Sequence, residues 1–176
     1  MPPLRHEQEE QNGDWHDFFL AQAGAAGVLT GLVFVGVSIN LEKILSDPGS
    51  GLTGRAAEAL ILLVAVLTTS LLLLVPGQST TIAGVEMLAV GLATWGWVGA
   101  IQLLRLKGWP EMAPDLRRAF VLRVALGQVA TLPFVVAGVT VLTGGLGGLY
   151  WLAAGMLFSI LVALFDAWVL LIEINR

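Results

Sequence analysis

Along the chain, five long apolar runs alternate with short polar breaks, at about 18–41, 56–75, 80–104, 118–142 and 149–173. Each is long enough for an α-helix, rising 1.5 Å per residue, to cross a hydrocarbon core about 30 Å thick. The breaks carry the residues that end helices: Asp47-Pro-Gly-Ser-Gly, Pro76-Gly-Gln-Ser, the Trp109-Pro110 and Ala113-Pro114 pairs, and Thr143-Gly-Gly-Leu-Gly-Gly148. The pattern predicts an all-α membrane protein: a bundle of five transmembrane helices formed by one domain, residues 17–176. A polar acidic tail, residues 1–16, is expected to precede it as a short exposed segment, with Trp15 at the headgroups.

Within the runs, the small and polar positions are not scattered. In the last run, Gly155, Ser159, Asp166 and Glu173 fall on one helical stripe, and Leu157, Leu161, Leu164, Trp168 and Leu171 fall opposite. One side suits lipid and the other suits protein or water. In the first run, Ala23, Gly27 and Gly31 recur every four residues, with Gly24 and Ser38 beside them. This is a seam at which another helix backbone can approach closely. It serves either packing within the chain or a subunit interface in a homo-oligomer. The third run carries Glu86 on the face opposite Gly84, Gly91 and Trp95. The fourth carries Pro133 near its middle, where a lost backbone donor predicts a kink.

Composition sharpens the class. Hydrophobic residues make up 56% and charged residues 12% of 176, and mean hydropathy is +0.83, too apolar for a soluble domain. The absence of cysteine removes disulfides, thiolate chemistry and cysteine-held metals. A net charge of -4 gives no reason to expect a nucleic-acid partner. The acidic start lacks the basic region and short apolar core of a signal peptide. His6, Glu10, His16 and Asp17 lack zinc-type spacing, so neither metal nor cofactor is expected.

Charge also predicts sidedness. If the breaks after runs one and three and the end of the chain share a side, that side holds Lys43, Arg55, Arg105, Lys107, Arg117, Arg118, Arg123 and Arg176, leaving Arg5 opposite. The positive-inside rule then puts the N-terminus outside and the C-terminus in the cytoplasm.

The combination of Asp17-Phe-Phe, Ala23-Gly-Ala-Ala-Gly27, Gly31-Leu-Val-Phe-Val-Gly-Val-Ser-Ile-Asn-Leu41, Leu52-Thr-Gly-Arg-Ala-Ala-Glu58 and Val75-Pro-Gly-Gln-Ser79 resembles a family of small bacterial multi-pass membrane proteins. Some of its members are described as modulators of the FtsH membrane protease. The resemblance extends over nearly the whole chain through glycine-rich helix patterns. It implies a bacterial inner (plasma) membrane and transfers no functional residue position by position.

Depth groups the charges. Counted from the outer ends of their runs, Glu58 and Asp166 lie roughly 25 Å down and Arg123 roughly 28 Å, one level just inside the inner boundary. Arg123 shares a face with Gly127 and Gly138, which points it at neighbouring helices. A buried cluster of Glu58, Arg123 and Asp166 is expected, either orienting the bundle or serving function. Glu86, roughly 9 Å below the outer surface, has no nearby base. It must be protonated, hydrogen-bonded to groups such as Thr81, Thr140 or Thr143, or beside water.

Catalysis is not expected, since the runs carry no intramembrane histidine, no HExxH and no second aspartate to pair with Asp166. Two classes of function remain. One is a homo-oligomeric pore or carrier for cations or protons, with Glu86, Ser159, Asp166 and Glu173 along its pathway. The other is a non-conducting accessory or regulatory protein that binds another membrane protein, such as a membrane protease, through its small-residue seams.

Overall fold

The computed structural model describes residues 5–46, 51–106, 114–145 and 147–174; within them, the side chains of 5–12, 105, 114–116, 173 and 174 lie outside the description. Among the described residues six helices follow one another: α1 (Arg5–Ile39), α2 (Leu41–Ser46), α3 (Leu52–Leu73), α4 (Thr80–Leu106), α5 (Pro114–Leu142) and α6 (Gly148–Ile174). All but α2 are long and apolar enough to cross a membrane, as an integral membrane protein requires. Their outward surface agrees. Leu32, Phe34, Trp97, Leu104 and Leu161 are each at least 60% exposed, a surface that lipid solvates and water does not.

The helices α3, α4, α5 and α6 form a closed ring in which each packs on the next, while α1 lies outside the ring against α3. Glycine sets the closest crossing, between α4 and α5. A Cβ on Gly138 would lie 2.6 Å from the Leu88 backbone N, and one on Gly91 would lie 2.9 Å from Val135 N. These two backbones therefore touch with no side chain between them. In a bilayer this is how helices gain contact that lipid tails cannot match. On the other flank of α5, Gly155 of α6 admits Phe134 and Pro133, whose atoms stand 3.0 Å from its would-be Cβ. The helix α5 continues through Pro133.

Two apolar clusters join the ring helices to one another and to α1. Phe19, Ala26, Val66, Met87, Phe134, Ala137, Leu152 and Met156 occupy the end nearest the α3–α4 and α5–α6 turns. Val33, Ala59, Leu62, Leu63, Val98, Ala130, Val162 and Ala163 follow below. The α5–α6 turn is tight because Gly144 and Gly147 take φ values of 71° and 92°, which side chains disfavour.

Several expectations change here. The polar residues from Arg5 onward are helical and run without a break into the first span, so that α1 is a continuous helix of 35 residues. Near its start Trp15 meets Tyr150 of α6, ring centroids 5.1 Å apart, so the aromatic residue placed at the headgroups also joins two helices. The short helix α2, absent from the sequence pattern, buries Ile44 against Leu52, Ala56 and Leu170. The second span begins at Leu52, directly after Gly51, whose φ of 73° turns the chain into the helix without a side-chain cap. That earlier start brings Arg55 into α3.

Candidate functional site: a buried ion-pair cluster

The helix α3 carries Arg55 and Glu58 three residues apart, hence on one face. Arg123 reaches them from α5 and Asp166 from α6. Arg123 donates through Nε (2.9 Å) and Nη2 (2.6 Å) to the same oxygen, Glu58 Oε2. Arg55 Nη1 donates to Asp166 Oδ1 at 3.1 Å, and Asp166 Oδ2 stands 3.5 Å from Arg123 Nη2. Glu58 is fully buried and Asp166 is 3% exposed. The Arg123 side chain is 11% exposed and that of Arg55 24%, so the cluster opens slightly at Arg55. Two positive and two negative charges cancel. Chemically this is a clamp tying α3, α5 and α6, and its internal pairing is what makes four charges tolerable in a low-dielectric interior.

Glu58, Arg123 and Asp166, grouped by depth from the sequence, thus meet in one contact network. Arg55 is the member that sequence reasoning missed, having been assigned to the linker. Its signal was available: Gly51 ends the breaker run, and a helix begun there sets Arg55 and Glu58 one turn apart. Gln102 is a second neighbour passed over. It is 5% exposed, and a Cβ on Gly127 would lie 2.5 Å from its Nε2 and 3.2 Å from Glu58 Oε1.

The remaining candidates lie elsewhere. Ser159 is fully buried and donates to Ala130 O of α5 at 3.1 Å, so its side of the stripe is closed by a helix–helix bond. The side chain of Glu173 lies outside the described residues, as do those of His6 and Glu10; His16 pairs with its neighbour Asp17 at 3.4 Å. Glu86 is half-buried, and its hydrogen-bond partner is Gln78 of the α3–α4 turn. Of the threonines proposed for it, Thr140 donates to Val136 O and Thr143 to Val139 O.

The seam of α1 divides. Ala23 is buried and Gly27 faces Leu67 of α3 at 3.8 Å, but Gly31 has nothing within 4 Å of its Cβ position, and neither has Gly24. No family model, curated protein or solved structure matches the chain.

Proposed function

We propose that this protein is a non-conducting accessory component of a membrane protein complex, presenting the outer face of α1 to a partner helix. The observation that carries this reading is the unused half of the α1 seam. Gly24, Gly31 and Ser38 recur every seven residues on exposed positions, the spacing of a left-handed helix pair, and among the described residues nothing lies within 4 Å of a Cβ on either glycine. The interior supports the same reading. A cation or proton route from Glu86 to Asp166 would pass Met87, Leu152, Met156 and Phe134, all buried side chains of the first apolar cluster. Ser159 and Asp166 are bonded to helices of their own chain, so they are poorly disposed to line a path shared among subunits.

The resemblance to modulators of the FtsH protease makes a membrane protease the first partner to try, and an inner (plasma) membrane the setting. The charge asymmetry supports an outside N-terminus, with Lys43 and the ion-pair cluster at the cytoplasmic end.

The test is a photo-crosslinking residue at Gly31, with a matched one at Phe158 on the far side of the ring, in cells carrying the tagged chain. Crosslinking to a discrete membrane protein from position 31, abolished by Gly24→Leu while the fold is kept, is the expected result. Cation or proton flux from purified protein in liposomes, above that of empty vesicles, would overturn the reading in favour of a pore or carrier.

A further inference from the structure

Around the ion pairs, four buried side-chain atoms make no hydrogen bond within the described residues: Glu58 Oε1, Gln102 Nε2, Arg123 Nη1 and Asp166 Oδ2. Each of the four ring helices supplies one. Two are donors and two acceptors.

The direction in which Gln102 points is fixed from the lipid side. Trp95, 42% exposed on α4, has an indole N–H that can only donate, and it donates to Gln128 Oε1 at 2.7 Å. Gln128 must therefore turn its Nε2 inward, where it stands 3.5 Å from Gln102 Oε1. Gln102 Nε2 is left facing Gly127 beside Glu58 Oε1, as a donor opposite an acceptor to which it is not bonded. Reversing either amide would set donor against donor at Trp95 or at Gln102.

The charges define what can bind there. Arg55 and Arg123 cancel Glu58 and Asp166, so neither a cation nor an anion gains net attraction. A neutral molecule that both donates and accepts satisfies the four atoms. Water is such a molecule, and buried waters commonly serve about three such groups. We propose that Glu58, Gln102, Arg123 and Asp166 form an internal hydration site. Water reaches it past the partly exposed Arg55, Gly127 leaves its flank free of a side chain, and Trp95 sets its donor and acceptor polarity through Gln128. This site is independent of the accessory reading, because it concerns the inner end of the ring and no partner.

The full chain in lipid nanodiscs, labelled with ¹⁵N only at glutamine, offers a direct test through cross-relaxation between side-chain amide protons and water. Gln102→Leu assigns the Gln102 signal, and half-buried Gln78, at the outer turn, is the positive control. The expected result is a water cross-peak at Gln102 that Gly127→Ala removes, since the added Cβ would displace the amide. Trp95→Phe, a change at the lipid surface that spares the core, should weaken the same cross-peak by freeing both amides to turn. The proposal is overturned if Gln102 shows no water contact while Gln78 does, or if its cross-peak is untouched by Trp95→Phe and by a folded Gly127→Ala. A direct Gln102–Glu58 hydrogen bond, seen as a scalar coupling or a shared deuterium isotope shift, would overturn it as well.

Discussion

At the scale of single residues, the ion-pair cluster ranks its members by how much each partner would be stranded. Arg123 gives two hydrogen bonds to fully buried Glu58, so Arg123→Ala should lose about 3–5 kcal/mol of stability. Arg118, exposed on the first turns of α5, should change stability by under about 0.5 kcal/mol when replaced by alanine. Denaturation in mild detergent, followed by tryptophan fluorescence, measures both. Arg55→Ala should fall between them, because its side chain is partly exposed and its bond to Asp166 is single. Replacing both Glu58 and Arg123 by methionine should recover most of the Arg123→Ala loss, since a buried pair exchanged for apolar groups strands no charge. A double variant as unstable as the single one would show that the pair supplies more than mutual neutralisation.

Among the elements, α4 and α5 form the tightest unit, and their glycines should tolerate least. Gly138→Ala would place a Cβ 2.8 Å from Leu88 Cα, against backbone that cannot swing aside, and overpacking of this kind costs about 1–3 kcal/mol. Gly24→Ala meets nothing within 4 Å and should leave stability unchanged or slightly raised. Thermal unfolding in the same detergent separates the two. This contrast also marks how far the sequence could be read. The five spans were legible because length and apolarity alone decide membrane crossing, and their ends moved by only a few residues outside α1. That Glu58, Arg123 and Asp166 lie at one level of the bundle was legible because rise per residue is constant. Which helix faces which is a different matter. Small-residue spacing is equally strong in α1 and in α4, and only three-dimensional packing tells that Gly91 meets a backbone while Gly31 meets none. Arg55 was hidden by a helix start that the breaker run left open, and the Trp95–Gln128–Gln102 chain by contacts across 33 and 26 residues of sequence.

For the whole molecule, the proposed orientation can be checked without disturbing it, because the chain contains no cysteine. Ser79→Cys and Thr143→Cys, both at exposed positions in the turns at one end of the ring, should react with an impermeant thiol reagent added outside intact cells. Ser46→Cys, exposed at the end of α2, should react only after the membrane is opened. Labelling of Ser46→Cys from outside would reverse the orientation. The cancellation within the ion-pair cluster has a last effect, on how the protein responds to an energised membrane. A lone charge moved across the bilayer changes energy by about 2.3 kcal/mol for every 100 mV of membrane potential. Here two arginines and two carboxylates in contact experience nearly the same local potential, and the force on one sign is balanced by the force on the other. The cluster should hold the same arrangement in a fully energised cell and in a depolarised one, so it is no voltage sensor.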